Sequence, residues 1–466
     1  MASARSRLDA LVAFALVLGS IGALPGAASA AEPPPGAISK NVSFVANIPE
    51  MKSAISIAFL KNDMFVSTAH GVYSYDISDP SAPTLQSSVP MYIWENEDMT
   101  IDVKRKLIFV SRDPRGFTTP ASPGSLFPYG AVHIISVKDP AAMVPLNVFP
   151  VPAGHTTTCV DGCDYVWTSG PGASTTTQSE WDGRPIFATD VSNPHEPKTC
   201  AKPIDTQRND GVTDYVHDVQ VDARGIAWVS GAGGVRGYWT SGRHRDPLSG
   251  KRRLATGCKP IPYAGGGTPT SATPSRFMHN SWRNPQAKVD GRKGDVLYAT
   301  EEAITSDCAA SGRFATYDLK GSYEGQGWKN IDKTHFRMKA LDTWTPEGAD
   351  GATGCASAHY FDDRGNGLLA YSFYEQGTRF LDASNPRKIK QVGFFRPDDA
   401  NTFASYWHRG HVYVADFTRG VDVLRFRGGG SKKVTAPVLP GAAGSAVEFD
   451  PDLGYMCPLP EEEGTG

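Results

Sequence analysis

Four of the eleven histidines in this 466-residue chain occupy the same place in a repeated sequence pattern. Each stands at the start of a short hydrophobic segment that leads through a tight turn into a second hydrophobic segment. The four are His155, His217, His279 and His359. Neutral imidazole suits Fe, Cu, Zn and Ni, and a site of imidazoles with an open position supports redox or Lewis-acid chemistry. If the fold brings these side chains together, the sequence predicts a transition-metal centre, with Fe or Cu favoured and Zn as a further option.

Carboxylates accompany the histidines at two places. The unit before the one that contains His155 has Asp98 at the corresponding position, with Glu97 beside it, and we expect a further ligand or a proton acceptor there. Glu301 and Glu302 follow the second hydrophobic segment of the His279 unit. They are placed to orient an imidazole from outside the ligand set, and the alternative is a solvated rim.

Two alternatives to a metal site stay open for the histidines: a structural residue that duplication copied into several units, or a metal-free polar pocket. The presence of the histidine is unrelated to how well a unit matches the repeat pattern. Units with weak copies of the pattern have the histidine, whereas two units with good copies lack it. The corresponding positions in the first and last units are Ala54 and about Thr402. This independence from the repeat favours the metal site.

The elements that would carry these residues recur seven times. Each unit has two hydrophobic segments, a loop, a glycine and a third segment that often ends in Asp-x-Ser-x-Pro. Clear third segments begin at Gly71, Gly130, Gly183 and Gly377. Short antiparallel strands repeated in this way are typical of a β-propeller, whose first strands line the central channel. We therefore predict an all-β, seven-bladed β-propeller over residues 41–427, with a leader over 31–40 and a Gly/Pro-rich, then acidic tail over 428–466.

The sequence also predicts how the ring closes and which face is open. The last unit lacks a fourth strand, and Asn41–Ile48 resembles the fourth-strand segment of the sixth unit, so we expect this N-terminal strand to complete the last blade. The long insertions fall in loops that return to the histidine face. Loops on a rigid scaffold carry function, so we expect a small molecule to enter there. These loops are Arg112–Tyr129, Gly170–Gly183, Gly231–Lys251, Pro260–Arg276 and Gly325–Ala358.

The repeat resembles that of the LVIVD-repeat family of secreted or surface β-propeller proteins. The resemblance rests on the phrase Gly-x-x-x-x-Asp-x-Ser-x-Pro-x-x-Pro, as in the segment that begins at Gly71, and it covers about Asn41–Phe426 as an architecture. It implies a propeller and an extracytoplasmic location, and it implies no particular reaction.

The N-terminal residues 1–30 have the features of a secretory signal peptide. Arg5 and Arg7 precede the apolar stretch Leu11–Leu24, and Ala28-Ser29-Ala30 is typical of a cleavage site. We therefore expect a secreted protein with no transmembrane segment in its mature chain. The whole chain has 46 Lys and Arg against 49 Asp and Glu, a formal charge of −3, which excludes a basic nucleic-acid binder.

An oxidising compartment would allow disulfides among the seven cysteines. Cys159 and Cys163 flank a hairpin turn. Cys308 and Cys355 fall in histidine-face loops of adjacent units. Cys200 and Cys258 stand at matching places in consecutive units, although such outer positions can be too far apart to bridge. Cys457 would then remain unpaired.

Two functions follow from this pattern. The first is a secreted metalloenzyme, an oxidase or oxygenase with a mononuclear four-histidine centre on the propeller axis. That ring is similar in plan to carotenoid-cleaving oxygenases and to copper-dependent methanethiol oxidases of the selenium-binding-protein group, as an analogy of architecture only. The alternative is a non-catalytic extracellular propeller that binds protein or glycan.

Overall fold

The computed structural model describes residues 33–113, 130–170, 185–206, 216–231, 234–247, 249–268, 276–303, 312–319, 338–346 and 357–428. Their strands form seven antiparallel sheets of at least four strands each, and the first strands of neighbouring sheets contact one another around an axis. This arrangement confirms the predicted all-β, seven-bladed β-propeller. The 3₁₀ helix in the described residues is a single turn, Pro49–Met51.

The strands of each blade are given from the axis outwards. Blade one consists of Ala54–Leu60, Asp63–Thr68, Gly71–Asp76 and Thr84–Pro90. Blade two consists of Thr100–Asp102, Leu107–Arg112, Gly130–Ser136 and Val144–Val151. Blade three consists of Thr156–Val160, Tyr165–Ser169, Pro185–Asp190 and a divided fourth strand, Lys198–Thr199 and Ile204–Asp205.

The next two blades carry additional hairpins. Blade four consists of Val216–Val221, Ile226–Gly231, Arg236–Trp239 and Ile261–Gly267. Its added hairpin pairs Arg243–Arg245 with Arg252–Leu254. Blade five consists of Arg276–Asn284, Val296–Ala303, Arg313–Asp318 and Lys339–Trp344. Its added hairpin pairs Lys288–Val289 with Arg292–Lys293.

The last two blades include the N-terminal strands. Blade six consists of Phe361–Asp363, Leu368–Ser372, Thr378–Asp382 and Lys390–Pro397, with Gly36–Ile38 as a fifth strand on its outer edge. Blade seven consists of Thr402–His408, His411–Asp416, Gly420–Phe426 and Val42–Ile48. Val42–Ile48 confirms the expected N-terminal strand that completes the last blade, and the short strand Gly36–Ile38 lies within the expected leader.

The Asp-x-Ser-x-Pro phrase forms the turn that ends a third strand. The Asp190 carboxylate accepts hydrogen bonds from the backbone N–H and the hydroxyl of Ser192, at 3.0 and 2.6 Å, and the Asp382 carboxylate does the same for Ser384. Such Asx turns reverse the chain without a backbone ladder. The phrase therefore has a structural role, since it forms the turn after the third strand, and it does not indicate a reaction.

Hydrophobic packing between neighbouring blades holds the ring together. The buried apolar side chains divide into seven clusters, and each cluster lies at one of the seven blade-to-blade interfaces. The interface of blades five and six, for example, packs Tyr298 and Phe314 against Phe361 and Tyr371. A blade cannot bury both of its faces alone, so each interface depends on the neighbouring blades being in place.

The ring closes inside blade seven. Val42–Ile48 pairs antiparallel with Gly420–Phe426, from Val42 opposite Phe426 to Ile48 opposite Val421. The Asn47 side chain donates hydrogen bonds to the Arg419 carbonyl and the Asp422 carboxylate. This pairing joins the first and last parts of the propeller and covers a sheet edge that would otherwise be exposed.

Two of the predicted disulfides are present. Cys159–Cys163 spans the hairpin turn of blade three. Cys200–Cys258 joins the outer parts of blades three and four, with Cα atoms 5.6 Å apart, so the expected difficulty of distance does not arise. Cys308, Cys355 and Cys457 lie outside the described residues. No helix among the described residues is long and apolar enough to span a membrane.

We predict that Gly420→Ala destabilises the protein more than Gly410→Ala. Both glycines have positive φ angles, +90° and +85°, so alanine has a backbone cost of about 1–2 kcal/mol at either site. A Cβ at position 420 would in addition overlap the Ile48 carbonyl of the closing strand, whereas position 410 is open. We expect the difference between the variants to be about 1–3 kcal/mol in the free energy of unfolding, measured by denaturant titration. Equal losses of unfolding free energy in the two variants would contradict this prediction, because they would show that the closing strand shifts to accommodate the added Cβ at no energetic cost.

We also predict unequal contributions from the two disulfides. The linked cysteines are 58 residues apart in Cys200–Cys258 and 4 apart in Cys159–Cys163. Because a cross-link that closes a longer loop removes more entropy from the unfolded chain, replacing both cysteines of the first pair with serine is expected to cost about 4 kcal/mol, against about 2 kcal/mol for the second. Denaturant unfolding of the two double variants measures the difference, and the reverse order would contradict this account.

Candidate metal centre

One residue from each blade stands at the same repeat position, within the first strand or just before it, at one end of the channel. In chain order the seven residues are Ile55, Glu97, His155, His217, His279, His359 and Phe403. The structure therefore places the four histidines on four consecutive blades and Glu97 on the blade before them. All seven side chains are buried.

A β-bulge aims several of these side chains. The pairing of first and second strands skips one residue at Ile55, His217 and Phe403, and it skips both His279 and Asn280 in blade five. Bulges redirect a side chain out of the regular alternation of a strand. Since the sequence alignment did not include this extra residue, it assigned the positions in blades one and seven one residue away, at Ala54 and Thr402. In blade two it assigned Asp98 in place of Glu97, and both of these residues precede the first strand.

Hydroxyl groups of neighbouring blades fix the backbone at two of the histidines. The Ser169 and Thr156 hydroxyls both donate to the His217 carbonyl at 2.8 Å, and the Ser111 hydroxyl donates to the His155 carbonyl at 3.3 Å. The Glu97 N–H also donates to the His155 carbonyl, at 2.9 Å. Hydrogen bonds between adjacent blades therefore set the depth at which these side chains enter the channel.

The four imidazoles surround the Glu97 carboxylate. Its Oε2 lies 3.6 Å from Nε2 of His155, 3.5 Å from Nε2 of His217 and 3.3 Å from Nε2 of His279. Its Oε1 lies 3.1 Å from Nε2 of His359. None of these five side chains has measurable solvent exposure. Carboxylate and imidazole are both common metal ligands, and the carboxylate lies as close to each imidazole as two ligands of one metal ion lie to each other.

The other ring nitrogens point to acceptors. Nδ1 of His217 lies 3.2 Å from the His279 carbonyl, and Nδ1 of His359 lies 2.6 Å from the Phe403 carbonyl. A carbonyl only accepts, so each Nδ1 must carry a proton. In a neutral imidazole this leaves the lone pair on Nε2, directed at Glu97.

His155 also directs its Nδ1 atom at an acceptor, in this case a carboxylate. Its Nδ1 lies 2.9 Å from Asp113 Oδ2 and 3.9 Å from Glu95 Oε2. Its Nε2 lies 2.9 Å from Nε2 of His217. Two lone pairs cannot face each other at that distance, so either one more proton or a cation must lie between His155 and His217. A separation of 2.9 Å is also the spacing of two nitrogens bound to one ion at about 2.0–2.1 Å.

His279 has neither ring nitrogen in a hydrogen bond, although it is fully buried. Its Nε2 lies 3.7 Å from Oε2 of Glu302, an oxygen that also lacks a hydrogen bond. A buried polar atom without a partner is costly, at about 1–3 kcal/mol. The two atoms are therefore available to a shared ligand.

Burial and charge shift the pKa values of the cluster in opposite directions. Burial alone would raise the pKa of the Glu97 carboxyl, but the four imidazoles outweigh it and hold that pKa well below its usual range. Burial lowers the pKa of His279 to about 3 and that of His217 well below its usual range. Burial also opposes protonation of His359, but the Glu97 carboxylate outweighs it and raises the pKa of His359 to about 8.

The two predicted acids of blade five have different roles. Glu302 lies beside His279, and its other oxygen accepts a hydrogen bond from the Tyr374 hydroxyl at 2.5 Å. Glu301 instead forms an ion pair with Arg313. Both carboxylates are buried, so the alternative of a solvated rim is wrong. The cause of their different roles is strand alternation, since adjacent residues point to opposite faces.

Asp98 lies next to the ring, outside the donor sets around Glu97. Its Oδ2 accepts a hydrogen bond from the Thr158 hydroxyl at 2.9 Å, and burial raises its pKa to about 6. Burial and the charge of Asp98 raise the pKa of Asp218 well above its usual value. Asp98 and Asp218 therefore belong to a second polar layer of the channel.

Sequence reasoning missed Glu95, Asp113 and Tyr374. Asp113, Glu302 and Tyr374 share one repeat position, two residues beyond the Ser or Thr that ends the phrases FVS, YAT and AYS of blades two, five and six. Aligning that position would have found Asp113 and Tyr374. Glu95 lies in an irregular segment and has no counterpart in the repeat.

The expectation that Gly231–Lys251 is a long loop at the histidine end is wrong, because Arg236–Trp239 is the third strand of blade four and the added hairpin follows it at the opposite end of the blade. There the Thr240 N–H donates to the Gly225 carbonyl of the turn between the first two strands. The other long loops expected at the histidine end lie partly or wholly outside the described residues.

No protein-family model and no curated protein sequence matches the chain. Solved structures similar to it include Raptor from Chaetomium thermophilum, with a TM-score of 0.50 and 10% identity over 82% of this chain and 28% of that one. A periplasmic gluconolactonase from Pseudomonas aeruginosa has a TM-score of 0.45 and 13% identity over 72% and 83%. Virginiamycin B lyase from Staphylococcus aureus has a TM-score of 0.46 and 8% identity over 82% and 98%. Identities this low show a shared fold alone, so the chain is similar to propeller proteins as an architecture.

Proposed function

We propose that this propeller is a metalloprotein whose four histidines and Glu97 bind a transition-metal centre at the end of the channel, and that the centre serves an oxidase or oxygenase reaction. One observation carries the proposal: four Nε2 atoms from consecutive blades lie within 3.6 Å of a single buried carboxylate.

A metal explains this cluster better than protons do. His217 and His279 are both held neutral by burial, so their Nε2 lone pairs face a carboxylate that is also an acceptor. Such contacts are repulsive unless a cation lies among them. A purely structural ring of histidines would instead place a hydrogen-bond donor opposite each acceptor, and both nitrogens of His279 lack one.

The donor set suits Fe or Cu best, with Zn also able to bind. Imidazole binds all three metals, and the combination of imidazoles with a carboxylate is the pattern of non-haem Fe(II) sites. The ring also has a side without donors, because Ile55 and Phe403 occupy its positions in blades one and seven. An ion held by the other five positions keeps an apolar open side, where a small molecule entering between the long loops would meet it.

Location belongs to the same proposal. Two disulfides among the described residues fit an oxidising compartment and support export through the predicted signal peptide. Membership of the LVIVD-repeat family remains part of the proposal, since it rests on the sequence phrase alone.

We predict that the purified protein contains at least about one equivalent of transition metal after expression with Fe, Cu and Zn supplied. His217→Ala removes one nitrogen donor and is expected to reduce the metal content to half or less. His195→Ala is the matched control, because His195 lies in an exposed turn after the third strand of blade three. Elemental analysis by mass spectrometry measures the metal in all three proteins.

Less than a tenth of an equivalent in the wild-type protein would contradict the metal site and leave a binding scaffold as the function. The redox part has its own test. Fe²⁺-loaded protein with an open position is expected to bind nitric oxide and give the electron paramagnetic resonance signal of a non-haem iron nitrosyl. Protein shown to contain bound Fe²⁺ that gives no such signal would contradict an oxygen-activating iron centre.

We further predict that metal binding releases a proton at pH 7. The pKa of His359 is raised to about 8 in the metal-free protein, so its Nε2 carries a proton at pH 7 that the metal must displace. Metal affinity is therefore expected to rise about tenfold per pH unit from pH 6 to 8 and to level off above that. Calorimetry with Co²⁺ at pH 7 in buffers of different ionisation enthalpy counts the released protons, and we expect about one. Binding heats that do not depend on the buffer would contradict this.

A further inference from the structure

We propose that the centre holds two metal ions and that the Glu97 carboxylate bridges them. The first ion lies on the side of His155 and His217, and the second on the side of His279 and His359. This inference rests on the proposed function, because it specifies how many ions the same site binds and how they share its ligands.

Two of the ligand sets meet at one carboxylate, and a third set, His217, His279 and Glu302, takes one imidazole from each of them. Glu97, His155 and His217 have ligand atoms that all lie within 4.8 Å of one another, and so do Glu97, His279 and His359. Among the described residues no such set contains all four imidazoles. Glu97 is the member that the two sets share, and each set alone has the two imidazoles and one carboxylate of a complete metal triad.

The position of the carboxylate argues against a single central ion. An ion bound equally by four Nε2 atoms must lie at the centre of those atoms. That centre is occupied by Glu97, whose Oε2 lies within 3.6 Å of three of the nitrogens and whose Oε1 lies 3.1 Å from the fourth. Ions can therefore lie between the carboxylate and the imidazoles on its two sides, where they do not displace it.

The spacing on each side fits one ion. Two atoms bound to the same ion at about 2.1 Å lie about 3.0 Å apart at a right angle and no more than about 4.2 Å apart. On the first side the two Nε2 atoms are 2.9 Å apart, and they lie 3.5 and 3.6 Å from Glu97 Oε2. On the second side His359 Nε2 lies 3.1 Å from Oε1, and His279 Nε2 lies 3.3 Å from Oε2. All five separations fall in the range.

The two sides differ in their outer support. On the first side the Asp113 carboxylate accepts from His155 Nδ1, so it orients a ligand without binding the ion. On the second side the Glu302 carboxylate offers Oε2 directly, 3.7 Å from His279 Nε2 and without a hydrogen bond. The second ion therefore has a fourth protein donor that the first ion lacks. The first ion has more room for a substrate atom, and a bridged pair of ions can hold two oxygen atoms of a substrate at once.

The test counts ions after metal-free protein is loaded with Co²⁺ and excess metal is removed. We expect about two Co²⁺ per chain in the wild-type protein and in the control His195→Ala. His217→Ala and His359→Ala each remove a donor from one set, so each is expected to retain about one Co²⁺. Glu97→Gln keeps the size of the side chain but removes the bridging charge, and it is expected to lose both ions.

X-ray absorption of the Co²⁺-loaded wild-type protein tests the bridge without any variant. A carboxylate-bridged pair is expected to show cobalt scattering from a second cobalt at about 3.5–4 Å. One Co²⁺ per chain, lost in either histidine variant and with no second cobalt nearby, would overturn this inference and leave the proposed function intact. Two ions that both persist in Glu97→Gln would overturn the bridge. No bound Co²⁺ in the wild-type protein would overturn the proposed function as well.

Discussion

Closure of the ring is the constraint on which the rest of this structure depends. Each blade buries its apolar faces only against its neighbours, and the seven clusters at the blade interfaces form a complete circle. The antiparallel pairing of Val42–Ile48 with Gly420–Phe426 completes that circle with backbone hydrogen bonds. Because the circle is complete, the first strands cannot move apart, and one residue of each is held at the axis. The chemistry of the channel is a consequence of this packing, since isolated blades would leave the same histidines far from each other.

The energetic cost of this convergence is electrostatic. Glu97 and the four imidazoles have no measurable exposure, so water does not compensate the charge of the carboxylate. The surrounding protein supplies backbone carbonyls for two imidazoles and the Asp113 carboxylate for a third, all of which are acceptors. Where an imidazole is neutral, as burial keeps His217, acceptors on both of its sides destabilise the site unless a proton or a metal ion is added. A cation bound only by the folded protein would stabilise such a cluster, because it would remove the repulsion.

The sequence predicted the fold and the convergence of the histidines because both follow from the repeat. Seven copies of one strand pattern specify one backbone, and residues at matching positions of that backbone meet at the axis. The errors have local causes. A bulged residue shifted the expected positions from Ile55 to Ala54 and from Phe403 to Thr402, since a bulge changes the strand without changing the apparent repeat. In blade two the position was assigned to Asp98 in place of Glu97, because both residues precede the first strand, where the hydrophobic pattern does not mark the register. Glu95 was missed because it lies in an irregular segment, where Trp94 and Asp98 adopt positive φ angles that no sequence pattern marks.

The differences between the blades carry the specific information of this molecule. At the axial position the repeat requires only a side chain that fits between neighbouring first strands, as Ile55 and Phe403 do. Five consecutive blades have a metal-ligating side chain, Glu or His, at this position in place of an apolar one. The position beyond the second strand is polar in blades two, five and six, which have Asp113, Glu302 and Tyr374 there, and apolar in blades one, three and four, which have Ala69, Pro171 and Ala232. The grouping is therefore a property of the axial position, where the ligand types occupy five neighbouring blades. Duplication alone would distribute them around the whole circle, so their grouping is the physical signature of a single site.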